Sequence, residues 1–265
     1  MDEILGYSLA ILVGISLGLI GSGGSILTVP ILVYVFGIDP ILAITYSLFI
    51  IGITASVGGV KNIISNNIDI DSSLFFGVPS IISIFITRKF LFPLLPDAIF
   101  HLGSLEFSKS LFLMLLFAIF MLIASLNMIF SNSIKEEVIT GNSSKWKLIL
   151  SGVSVGFISG IIGIGGGFLI IPALVYLAKI DMKKAVGTSL LIIASNALIG
   201  FLGSCHPEFH LNYGFLTYFS IASISGMFMG IYLSNKIDGS KLKSGFGWFV
   251  LIMGIYIIMK ELLVK

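Results

Sequence analysis

The chain has 265 residues, of which 57% are hydrophobic and only 11% charged, and its formal net charge is +2. A soluble globular domain carries roughly 25% charged residues, so this one cannot cover its surface with solvated side chains. Its long apolar runs fit a polytopic membrane protein, with the lipid bilayer as first partner. The small charge and the lack of a basic cluster exclude nucleic acid, and the single cysteine, Cys205, excludes an intrachain disulfide or a cysteine-based metal cluster.

The first apolar run, 4–20, follows Asp2 and Glu3 instead of a basic stretch and has no small-residue cleavage site, so it reads as retained. It leads into the glycine knot Gly21, Ser22, Gly23, Gly24, Ser25 and a short apolar segment over 25–37. About 13 helical residues reach roughly 20 Å, less than the ~30 Å hydrocarbon core, so this segment is half of a broken or re-entrant hairpin. Segments over 40–60, 72–90 and 109–130 complete the first half. The polar stretch from Ser131 to Lys147 divides the chain into a membrane repeat over 1–131, a cytoplasmic linker over 132–147 and a second membrane repeat over 148–265. The second half then gives segments at 148–163, 167–178, 183–203, 213–234 and 244–260. The expected fold is an all-α integral membrane protein of about 8–10 helical segments.

The halves repeat each other. Sliding one by 142 residues (Gly18 onto Gly160) lays Gly14 on Gly156, Gly21 on Gly163, Gly23 and Gly24 on Gly165 and Gly166, Pro30 on Pro172, Tyr34 on Tyr176, Asp39 on Asp181 and Ser47 on Ser189. Five segments per half turn the second copy upside down. The basic residues test this, because cytoplasmic loops carry the excess. Lys135, Lys145 and Lys147, then Lys179, Lys183 and Lys184, then Lys236, Lys241 and Lys243 fall on one side, whereas the turn around Asp39 has no basic residue; Arg88 and Lys89, on the other side, count against the scheme.

Non-helical backbone at membrane depth is tolerated where it packs in protein or lines a cavity, and paired glycine-interrupted segments point to a transporter's substrate site. The helix after each knot starts with unpaired N–H groups and the positive end of its dipole, which suits a small anion as substrate. Candidate binding residues are therefore Gly21, Ser22, Gly23, Gly24 and Ser25 in the first copy and Gly163, Gly165, Gly166 and Gly167 in the second. Ser47 and Thr54, with Thr188, Ser189 and Asn196, are polar residues inside later segments, and those at equivalent positions are candidates to line the same cavity. The competing reading has such hydroxyls bond back to their own helices.

Gly14/Gly18, Gly156/Gly160 and Gly226/Gly230 read as packing pairs. Asp39 and Asp181 read as N-caps, and Pro30 and Pro172 as kinks that seat the half-helices. Lys61, Arg88 and Lys89 fall at segment ends, where snorkelling accounts for them, so no ionisable group is expected well inside a segment. His101, His206 and His210 fall in loops without metal-ligand spacing. No cofactor is expected, and a coupling ion of unspecified kind is the remaining partner. A dinucleotide-binding enzyme is argued against because GIIGIGGG opens no βαβ unit, and an intramembrane protease because Ser22 has no histidine within a segment. A narrow anion channel is the main alternative to a carrier, with an intramembrane enzyme a remote second.

The paired motifs GSGGSILTVP and GIGGGFLIIP, with AVGTSLLIIASNALIGF and the closing KLKSGFGWFVLIMGIYI, resemble the TauE/SafE family of sulfite exporter-like permeases over nearly the whole chain. Ser25 stands where that family commonly has glycine. The resemblance implies transport of sulfite, sulfonates or related organic acids across the plasma membrane through about eight membrane segments.

Overall fold

The computed structural model describes residues 2–21, 24–96, 98–102, 105–130, 145–163, 165–204, 211–234 and 239–263. Among the described residues, ten helices and one hairpin make up the regular structure, once each π-helical turn is joined to the α-helix it continues. The first half holds α1 (Asp2–Ile20), α2 (Ser25–Tyr34), α3 (Pro40–Ile64), α4 (Ile70–Leu94) and α5 (Lys109–Phe130). A short antiparallel hairpin, β1 (Ala98–Leu102) and β2 (Leu105–Ser108), sits between α4 and α5 and pairs His101 with Glu106. The second half holds α6 (Lys145–Ile162), α7 (Gly167–Ala173, continued by the π turn Leu174–Ala178), α8 (Met182–Ser204), α9 (Tyr213–Ser234) and α10 (Gly239–Leu263). Among the described residues, α3, α4, α5, α6, α8 and α9 are long and apolar enough to cross a membrane. The protein is therefore an all-α membrane protein.

Local chemistry sets the helix starts. Asp39 Oδ1 accepts from the backbone N–H groups of Ile41 (2.9 Å) and Leu42 (3.4 Å), with Pro40 in the first helical position of α3. Asp181 Oδ2 accepts from Lys184 N–H (3.3 Å) at the start of α8. Both aspartates are the N-caps their position predicts. α2 is shorter than its apolar run: it closes at Tyr34 and not 37, so its 10 residues span about 15 Å. Pro30 and Pro172 lie inside α2 and α7, and in α7 a π turn follows the proline directly.

Helix pairing follows the 142-residue offset. α3 and α8 occupy the same place in their halves and pack on each other. Gly52 lies against Leu198 and Gly59 against Leu191, so the two run antiparallel. They form the centre, with 67% of each span buried against 33% for α4. α5 and α10 pair antiparallel as well, with Gly254 near Met121 and Gly247 near Met128. α1 packs on α9 and, equivalently, α6 packs on α4. In the first of these pairs, Gly14 and Gly18 meet the backbone at Ser223 and Met227, while Gly226 and Gly230 meet the carbonyls of Ile11 and Ile15. In the second, Gly152 and Gly156 meet the carbonyls of Phe76 and Ser80. Ser223 Oγ donates to Ala10 O (3.1 Å) across one seam and Ser83 Oγ to Val153 O (2.8 Å) across the other. Without a hydrophobic force between helices in lipid, such close backbone contact is what holds them, and the paired glycines are packing residues.

Candidate functional site

Each glycine knot interrupts the chain between a long helix and a half-helix. Gly163 N–H closes α6 by donating to Ser159 O, and Gly21 N–H closes α1 by donating to Leu17 O, both at 2.8 Å. The backbone then turns through the left-handed region, with φ of +77° at Gly21, +80° at Gly163, +68° at Gly165 and +79° at Gly166. At Gly163 glycine is required twice over. A side chain there would be strained, and its Cβ would run into Ile44 and lie 2.9 Å from Arg88 Nη2. Gly166 leads straight into α7 in the same conformation. Gly24 is different: it is right-handed and lets α2 lie close to the backbone of α1 at Val13 and Leu17. Ser22, Gly23 and Ile164 lie outside the described residues.

The turns rest on one another's halves. Gly163 sits against Ile44 near the start of α3, and Gly21 sits against Val186 near the start of α8. Ile44 and Val186 are equivalent across the 142-residue offset. Ser47 Oγ lies 2.7 Å from both Gly163 O and Ile44 O and shares its one proton between the two carbonyls, so one predicted residue joins α3 to the second turn. Gly165 faces Ile193 and Ala197 of α8. Ser25 and Gly167 begin the half-helices, both buried. Neither α2 nor α7 has a side-chain cap or an acidic residue in its first turn, which leaves each positive helix end uncancelled from within.

The other predicted polar residues are spread more widely. Thr54 Oγ1 donates to Ile50 O (2.7 Å) and Ser189 Oγ to Val186 O (2.8 Å), each within its own helix. Thr188 Oγ1 accepts from Asp69 N–H (2.9 Å) and ties the loop before α4 to α8. Asn196 Nδ2 donates to Ser80 Oγ (2.7 Å), while its Oδ1 is buried without a partner among the described residues. The Thr28 hydroxyl, on α2, is buried and unpartnered in the same way. His206 and His210 lie outside the described residues, and no group of three His, Cys, Asp or Glu could hold a metal among those described.

Arg88 departs from the expectation that no ionisable group lies inside a segment. α4 runs to Leu94 instead of stopping near 90, so Arg88 is six residues, roughly 9 Å, from its end. Its side chain is 1% exposed. Ser80, Ile84, Arg88 and Phe92 form one buried stripe at four-residue spacing, and Val78, Ile82, Ile86 and Phe90 form the exposed stripe. The π turn Thr87–Leu91 carries Arg88, and its guanidinium carbon lies 4.3 Å from the centroid of the Phe92 ring. Nε, Nη1 and Nη2 are all buried with no hydrogen-bond partner among the described residues. Lys89, by contrast, is exposed and lies over Phe85 and Phe90, so snorkelling describes Lys89 but not Arg88. Lys109 is also buried, but its ammonium donates to Phe92 O (2.9 Å) and Leu95 O (3.2 Å). The signal for Arg88 was present in the sequence: it is the single arginine of the chain, four residues from Ile84 and Phe92 on the interior stripe.

The profile of the family described as "Sulfite exporter TauE/SafE" matches residues 7–257. A probable membrane transporter protein of Xylella fastidiosa is 29% identical, with 94% of this chain and 92% of that one covered. One from Methanocaldococcus jannaschii is also 29% identical, covering 97% of each chain. The probable membrane transporter protein YdhB of Bacillus subtilis is 25% identical over 93% of this chain and 96% of its own. No solved structure matches.

Proposed function

Because the chain belongs to the sulfite exporter TauE/SafE family of membrane transporters, we propose that it carries a small sulfur-containing oxyanion or organic acid, such as sulfite or a sulfonate, across the plasma membrane. The halves act as inverted repeats, and the anion binds where the two glycine turns meet the opposite half. One observation carries this reading: each turn is seated on the start of the other half's long helix by equivalent residues, Gly163 on Ile44 and Gly21 on Val186, and opens a half-helix without a side-chain cap. A binding element built from both halves changes shape when they rock against each other, as alternating access needs. The uncapped helix starts favour negative charge.

The test is flux into proteoliposomes. A carrier takes up sulfite or methanesulfonate saturably and faster when the same anion is inside. A conductance that simply follows voltage identifies a channel, and no flux of either anion refutes the proposal.

A further inference from the structure

We propose that Arg88 is the charge partner of the transported anion, and that an oxyanion is held at the second glycine turn by the edge of its guanidinium. This rests on the reading of the protein as an anion transporter and goes further, because it fixes one residue, one turn and one class of anion.

Three observations lead to it. The guanidinium is 1% exposed and all three of its nitrogens lack a hydrogen-bond partner among the described residues. A buried cation left this way is strongly unfavourable unless something negative meets it. Its position is the second observation. Nη2 lies 2.9 Å from where a Gly163 Cβ would stand, and the Gly163 carbonyl is already engaged by Ser47 Oγ. The arginine therefore reaches the turn, and its charge stays available there. Third, the Phe92 ring 4.3 Å from its guanidinium carbon offers those N–H groups no lone-pair acceptor, so their hydrogen-bonding capacity is unused among the described residues. The N–H edge is a planar fork matched to two oxygens on one atom, as in sulfite, a sulfonate or a carboxylate, and not to a spherical halide.

Among the described residues the first turn has no such group. The position 142 residues after Arg88 is Gly230, packed on the Ile15 carbonyl. The two turns therefore differ in kind, and the anion belongs at the Gly163 turn rather than midway between equal partners.

The experiment uses purified full-length protein in detergent, with sodium sulfite, sodium methanesulfonate and sodium chloride as probes. Binding is read by calorimetry for the wild type, Arg88→Gln, Arg88→Lys and Lys89→Gln. The wild type and Lys89→Gln are expected to bind sulfite and methanesulfonate alike and to prefer both over chloride. Arg88→Gln should bind about 10- to 150-fold more weakly, the range for losing hydrogen bonds to a charged group. Arg88→Lys keeps the charge without the fork and should fall in between. Because the chain has one arginine, 15N-arginine labelling gives a single side-chain Nε signal, and titrating methanesulfonate into the wild type should shift it saturably. This second reading stands even where Arg88→Gln fails to fold. Oxyanion binding with no movement of the Nε signal, or with unchanged affinity in Arg88→Gln, overturns the inference and leaves the anion-transport reading intact. A wild type that binds none of the three anions, and moves none in vesicles, overturns both.

Discussion

Replacing Gly156 by alanine tests whether α4 and α6 are held by direct backbone contact. The added Cβ would run into the Ser80 carbonyl oxygen and lie 2.9 Å from both Ser80 Cα and Ser83 Cβ. That is about 1 Å inside ordinary contact, so the helices must part by a similar amount. A gap of this size gives up a quarter to a half of each dispersion well along the seam, and such crowding costs about 1–3 kcal/mol. Two hydrogen bonds share the strain, Ser83 Oγ to Val153 O (2.8 Å) and Asn196 Nδ2 to Ser80 Oγ (2.7 Å). For a chain near this size, each kcal/mol moves the melting temperature by roughly 2–4 °C, so in detergent Gly156→Ala should melt about 2–12 °C below an alanine variant that gains the same helix propensity without the crowding. Gly245→Ala is the control, because nothing lies within 4 Å of its Cβ and alanine is the better helix former by about 1 kcal/mol. Its melting temperature should hold or rise. If Gly156→Ala melts with Gly245→Ala, the close-contact account of this seam is wrong.

Three further outcomes are expected. Gly166→Val, which places a β-branched residue at φ +79°, should abolish sulfite flux while the protein still inserts and purifies as a single species; normal flux removes the second turn from the site. Asp39→Cys and Asp181→Cys, made in a Cys205→Ser background, should label from opposite sides of the membrane with an impermeant maleimide, and labelling from one side excludes inversion. Asp39→Ala removes the acceptor for Ile41 and Leu42 N–H and should lower stability by about 1 kcal/mol, read as a small fall in melting temperature with substrate affinity unchanged.

Three segments were plain in the sequence: 109–130, 167–178 and 213–234 fall on α5, α7 with its π turn, and α9 to the residue. The packing glycines were legible too, since a small residue every fourth position has one main use between helices in lipid. Ends were harder where apolar residues continue past the helix. Val35 and Phe36 belong to the hydrophobic run but not to α2, because Gly37, at φ +65°, turns the chain toward Asp39. The same difficulty hid Arg88. A charge two residues before a presumed end reads as snorkelling, and the reading changes only when Phe92, Pro93 and Leu94 are seen to continue α4. Of the polar residues named in advance, Ser47 reaches a glycine turn, whereas Thr54 bonds within α3. Sequence spacing puts both in the same helix, but only side-chain direction separates them.

A guanidinium buried with no carboxylate beside it among the described residues also gives the membrane voltage something to act on. Moving a whole charge through the full field is worth about 2.3 kcal/mol per 100 mV, and Arg88 lies part of the way in from the end of α4. With no anion beside it, the positive charge couples to whatever fraction of that field it crosses. A singly charged anion cancels it. On the proposed reading, in which Arg88 moves with the carrier and meets a singly charged anion, the resting potential biases the return of the unliganded carrier and leaves the loaded step electrically silent.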